Sequence, residues 1–254
     1  MYENLLLISP KTDANTRFSI ASDWNFAAQL DTVTLTDFEV MAAAAEYPVV
    51  FSIAEPTQPV ALLGGSGKNN YVNAAGKWTA RHIPARLGAY PFDVVEHDGQ
   101  VVMVRSGDAP HFQQADGQPL YNEAGEPLPL LRTINETVAR VYIGTNAAKR
   151  LTAELEAAGL LMIAQVNVKL ADGSVRGVNG FKACNEKALE ALDAKTKEAL
   201  EASGAMALLI AHRASLQNLA RLFPEAPAAE AEAAAPKKAA KPRAAKPKAP
   251  KDAA

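Results

Sequence analysis

A chain of 254 residues, 48% of them hydrophobic, is long enough to bury one large core or two small ones, and its formal net charge of −2 excludes a strongly basic or acidic protein taken as a whole. That balance conceals a split. Lys237, Lys238, Lys241, Arg243, Lys246, Lys248 and Lys251 crowd into residues 236–251 with no acid among them. Removing the seven cations and four acids of residues 224–254 from totals of 26 and 28 leaves 19 cations and 24 acids, net −5, in residues 1–223. A single cysteine, Cys184, excludes an internal disulfide framework. No apolar run approaches the ~20 residues of a membrane span. The opening MYENLLLISP carries an acid where a signal peptide would carry cations, so the expectation is a soluble, cytoplasmic protein.

In chain order, Thr36-Asp37-Phe38-Glu39 fits a capping box and predicts a helix to Glu46. Apolar runs at 47–53 and 60–63 flank Glu55-Pro56-Thr57-Gln58-Pro59 and predict a hairpin. Gly64-Gly65-Ser66-Gly67-Lys68 lacks the first glycine and the Ser/Thr of a phosphate loop and reads as a turn, with an anion nest as the alternative. Residues 92–96 and 101–105 flank Asp98-Gly99, a second hairpin. Residues 106–131, rich in Gly, Pro, Asp and Gln, predict a long loop, and long ordered loops are often functional. Thr133…Glu136 predicts a helix towards Ile143, and Thr145 or Asn146 a second one to Ala158, ended by Gly159. Residues 162–170 and 174–181 form a third hairpin about Asp172-Gly173, one face of it wetter than the other. Asn185–Ala202 and Ala205–Leu222 predict a helical pair joined at Gly204. Hairpins without βαβ alternation imply an α+β fold on an antiparallel or mixed sheet, with a C-terminal helical hairpin. Residues 1–223 then form the folded domain. Residues 224–254, almost wholly Ala, Pro, Lys and Glu, predict a disordered tail.

The segment Trp78–Phe92, WTARHIPARLGAYPF, combines residue types found together nowhere else in the chain. Arg81, His82 and Arg86 suit an anionic group, and Trp78 and Tyr90 suit stacking on a sugar or base. The competing and favoured reading is an irregular crossover whose Trp78, Ile83, Leu87, Tyr90 and Phe92 turn inward. His111 opens HFQQAD in the long loop, with Asp108 and Asp116 near it. A distributed acid/base or metal site from His82, His97 and His111 stands against solvated turn histidines, and no tight metal-ligand motif occurs. His212 reads as a packed or surface residue, and Cys184 as structural. The candidate ligand-binding set is therefore Trp78, Arg81, His82, Arg86, Tyr90 and His111, in a groove between residues 78–92 and 106–131. The basic stretch 236–251 suits nonspecific polyanion contact, without aromatics for base stacking.

Glu46-Tyr47-Pro48-Val49-Val50-Phe51, Ala61-Leu62-Leu63-Gly64, Trp78, Ile83-Pro84-Ala85 and Tyr90-Pro91-Phe92 together resemble the SapC family. Gly180-Phe181 and Ser215-Leu216-Gln217-Asn218-Leu219 agree in kind, so the resemblance covers roughly residues 5–223. The resemblance implies a bacterial α+β protein linked by family name to surface layers. It brings no catalytic residue set, and the permease label sometimes attached to the name does not suit a chain without a membrane span. The expectation is an accessory or binding protein for a small molecule, peptide or envelope component. The alternatives are an enzyme with a histidine/carboxylate site and a polyanion binder acting through its tail.

Overall fold

The computed structural model describes residues 2, 4–20, 23–65, 67–112, 116–169 and 173–223, and the backbone of 231–232. The tail expectation for 224–254 and the polyanion contact of 236–251 otherwise lie outside the described residues. Strand β1 (Leu5–Leu7) leads into helix α1 (Pro10–Asp13), whose amide at Thr12 donates to the Ser9 hydroxyl at the N-cap. Strand β2 (Arg17–Phe18), a 3-10 turn at Asn25–Ala27, strand β3 (Thr32–Thr34) and helix α2 (Val40–Ala44) come after it. Next are β4 (Val49–Ser52), β5 (Pro59–Leu62), helix α3 (Ala85–Ala89), β6 (Phe92–His97) and β7 (Gln100–Ser106). The β6–β7 turn places Asp98 at φ 51° and Gly99 at φ 72°, the two left-handed residues that a tight hairpin turn needs.

The described residues of 106–131 are more ordered than a loop. They hold a 3-10 turn at Pro110–Phe112 and strand β8 (Gln118–Pro119), which pairs with β2. Helix α4 runs unbroken over Pro129–Ala157, about 44 Å at 1.5 Å per residue, where the sequence predicts two helices. Thr133 does not cap it; its hydroxyl donates to the Pro129 carbonyl one turn back. Gly144 is no breaker either. A Cβ there would lie 2.6 Å from the Phe38 ring, so the glycine admits a neighbouring segment against the helix. The end is as expected. Gly159 at φ 69° sends its amide to Glu156, and Leu160 bonds back to Leu155, a Schellman closure.

Strands β9 (Leu161–Lys169) and β10 (Val175–Cys184) form the third hairpin, and Val166 and Val168 alternate with exposed Gln165, Asn167 and Lys169. The predicted helix 185–202 is split into α5 (Glu186–Glu190) and α6 (Ala194–Ser203), because the Asp193 carboxylate accepts the Thr196 amide and starts a new helix. Gly204, at φ 92°, joins α6 to α7 (Ala205–Ser215), which tightens into a 3-10 stretch at Leu216–Leu222. A two-residue strand β11 (Ala231–Glu232) adds to β9.

Every strand pair is antiparallel, so the α+β architecture rests on antiparallel sheets of order β11-β9-β10-β4-β5-β3, β1-β7-β6 and β2-β8. The central hairpin is buried on both faces. Val49, Phe51, Ala61 and Leu63 meet α2, α7 and the C-terminal half of α4, whereas Val50, Val60 and Leu62 meet Phe181, Leu219 and Leu222. A third core under β6 and the N-terminal half of α4 holds Phe18, Phe92, Leu120, Leu131, Val138 and Val141.

One junction of the large sheet is closed by side chains. The β10–β4 ladder pairs Phe181 with Ser52 and Lys182 with Phe51, so Cys184 would next face Val49. Instead the imidazole of His212 lies between them. Its Nε2 accepts the Cys184 amide at 3.1 Å, and its Nδ1 donates to the Val49 carbonyl at 2.6 Å. The Val49 amide is taken by the Ser215 hydroxyl at 2.8 Å. Continuing at the same spacing, Asn218 donates to the carbonyls of Ala44 and Tyr47, and Arg221 to that of Glu46. Residues three apart share a helical face, so one polar stripe satisfies the irregular backbone of 44–49.

Candidate functional site

A cavity of about 230 Å³ opens above the third core. Its first wall is formed by Phe18, Ile20, Asp23, Trp24 and Phe26. Pairing of β2 with β8 and the bond from the Ser19 amide to the His111 carbonyl set Phe18 parallel to the His111 ring, 5.8 Å away. The Asp23 carboxylate accepts the Asn25 amide at 2.9 Å and turns the chain so that Trp24 and Phe26 face the cavity. Gly76 makes this turn possible: the Trp24 amide bonds to its carbonyl, and a Cβ on it would lie 2.9 Å from Asp23 and Asn25. The second wall is formed by α3 and the start of β6, from Leu87 through Tyr90 to Phe92. Tyr90 stacks on Phe26 at 4.3 Å and meets His111 edge-on at 5.2 Å. The third is the first turns of α4, with Leu130, Thr133, Ile134, Thr137 and Val138.

His111 is a polar group of the cavity wall. It is 4% exposed, and its Nδ1 is buried without a hydrogen-bond partner among the described residues. Burial holds its pKa below the ordinary histidine value, opposed by the charge of Asp23. The imidazole is thus neutral at neutral pH, and its ring forms part of the wall.

The six residues singled out from sequence divide. Tyr90 and His111 line this cavity, one from the end of the 78–92 segment and one from the 106–131 segment. Trp78 is half-buried in packing. Its Nε1 donates to Tyr47 and to the His82 carbonyl, and its ring stacks on Tyr71. Arg86 is bound to Asp93 at 2.6 Å and lies over the Tyr2 ring. Arg81 is exposed and is not among the cavity's lining residues. The anion cluster of Arg81, His82 and Arg86 therefore does not form. Ile83, expected inward, is 37% exposed, because the turn into α3 faces it outward.

His82 has a different partner. Its Nε2 lies 3.0 Å from Glu39, whose carboxylate is 3% exposed and also accepts the Ala85 amide, the Thr36 amide and the Thr36 hydroxyl. The half-formed capping box thus becomes a hub joining the start of α2 to the start of α3. His97 sits exposed at the β6–β7 turn beside Asp98. Among the described residues, no group of three His, Cys, Asp or Glu side chains is arranged to hold a metal, and the three histidines lie in separate surroundings. The Gly67 amide of the glycine turn is occupied by the Asp31 carboxylate. Burial and the charge of Glu186 push the Cys184 thiol up to about 11, an inert thiol at neutral pH.

Reasoning from sequence missed Phe18, Asp23, Trp24 and Phe26. Three aromatics and an acid within nine aperiodic residues was the available signal.

A family model for SapC matches residues 8–222. The chain belongs to the SapC family. No curated protein and no solved structure matches it. The match takes in all three walls of the cavity and the stripe from His212 to Arg221. No described helix of this SapC chain is long and apolar enough to cross a membrane.

Proposed function

We propose that this SapC-family chain is an accessory binding protein that takes a small, ring-bearing molecule into the cavity lined by Phe26, Tyr90 and His111. The observation that carries the reading is a cavity whose wall gathers Phe18, Trp24, Phe26, Tyr90 and His111 beside aliphatic groups, with Asp23, Thr133 and Thr137 as further polar residues. A concave, mostly apolar site with a few polar groups is the usual form of a small-molecule pocket. The size agrees. Apolar cavities of ~150 Å³ accept benzene, so about 230 Å³ suits a substituted ring. The surface-layer association in the family name points to an envelope component as ligand source, with the protein serving envelope biogenesis.

Gly88 gives the test. It is exposed in α3, it lines the cavity, and a Cβ there meets open space. Ligand-observed NMR with indole and phenol is expected to show saturable binding to the full chain and to Gly88→Ala, and at least a tenfold loss in Gly88→Trp. Gly88→Ala is expected to stabilise the protein by ~0.4–1 kcal/mol, which controls for folding. Equal binding by all three proteins, or none by any, would overturn the reading.

A further inference from the structure

The cavity's wall is unbalanced in charge. Among the described lining residues Asp23 is the one acid, and there is no lysine or arginine. Asp23 gives one carboxylate oxygen to the Asn25 amide and keeps the other. Thr133 and Thr137 spend their hydroxyl protons on carbonyls one turn back, Pro129 and Thr133, and keep only lone pairs. Phe18, Trp24, Phe26 and Tyr90 line the same cavity. Aromatic faces are electron-rich and attract cations, and an acid beside them completes the chemistry of an ammonium-binding cage. An anion entering here would meet a carboxylate and no counter-charge.

Resting on the reading of the cavity as a ligand site, we infer that its ligand is a small organic cation: a primary or alkylated amine on an apolar or aromatic body, its ammonium at Asp23 and its body against Phe26 and Tyr90. Asp23 is then the residue that sets specificity, and the His111 ring is part of the wall against which the body of the ligand packs.

Isothermal titration of the full chain with benzylamine, benzyl alcohol and benzoate at neutral pH tests this, since the three share a ring and differ in charge. Benzylamine is expected to bind at least tenfold more tightly than benzyl alcohol, and benzoate more weakly than either. Asp23→Asn keeps an oxygen for the Asn25 amide and so preserves the turn. It should reduce the amine-to-alcohol ratio at least fivefold, with benzyl alcohol unchanged. Benzyl alcohol binding as tightly as benzylamine would overturn the cation assignment and leave the cavity reading standing. An amine preference that survives Asp23→Asn would overturn the role of Asp23. Failure of all three probes, with indole and phenol also inert, would overturn both readings.

Discussion

His212→Ala is expected to cost about 4 kcal/mol of folding stability, and the loss should appear as a lower urea midpoint. Two contributions add. Truncating a large, fully buried side chain leaves a cavity worth ~2–4 kcal/mol. The Cys184 amide then loses its acceptor inside the sheet, a further ~1–3 kcal/mol, and the Val49 carbonyl loses its close donor, since the single Ser215 hydroxyl proton goes to the nearer His212 carbonyl at 2.6 Å. The same geometry fixes a pH dependence. His212 must be neutral, with its proton on Nδ1, to accept from Cys184 and donate to Val49. Burial lowers its pKa, and burial also lowers that of His111. In the unfolded chain both take up protons near pH 6.5, so below that point the unfolded state binds more protons than the folded one. Stability is therefore full above about pH 6.5 and falls on acidification, by up to ~1.4 kcal/mol per pH unit for each histidine. Urea midpoints at pH 7.5, 6.5 and 5.5 should drop between the last two. A flat profile would show that neither ring is held neutral.

Glu39→Ala is expected to be as damaging, at about 3–5 kcal/mol, because it removes the shared acceptor of four donors in a buried place. The amides of Thr36 and Ala85 cannot turn to water without unwinding the starts of α2 and α3. His82→Ala should cost far less, about 1 kcal/mol, since that ring is 21% exposed and its carboxylate partner keeps three other donors. Glu39→Gln should fall between them. Its single oxygen serves one side of the hub, and its amide group opposes a donor on the other. Equal losses for Glu39→Ala and His82→Ala would mean that the ion pair, rather than the hub, carries the stability.

Local features were the legible ones. Two of the three hairpins were readable because Asp98-Gly99 and Gly173 supply left-handed residues between strands, the first because prolines separate two apolar runs, and Gly204 and Gly159 mark helix ends by the same left-handed freedom. Helix α4 was misread at Thr145 and Asn146, where cap-like residues mimic a new start. The reason for Gly144 just before them is Phe38, more than a hundred positions away. The candidate cavity was half legible. Tyr90 and His111 belong to segments with unusual composition, while Arg81, Arg86 and Trp78 were drawn from the same composition and went to solvent, an ion pair and core packing. The 18–26 wall has no periodicity of its own, and only its docking on Gly76 and β8 gives it form. His212, Ser215, Asn218 and Arg221 were visible as a three-residue spacing, yet their meaning depends on the backbone of 44–49.

The length of α4 has a consequence for how the molecule comes apart. Its first half packs Leu131, Val138 and Val141 into the core beneath the cavity, and its far end packs Leu155 into the core between the large sheet and α7. Continuous helix runs between the two regions, so neither can melt without fraying the element that holds the other. Polypeptides beyond ~150 residues often unfold through intermediates. This one is expected to unfold in a single cooperative step, with calorimetric and van't Hoff enthalpies equal. A proline placed at the exposed Ile143 should divide that step in two, making the continuous helix the source of the cooperativity.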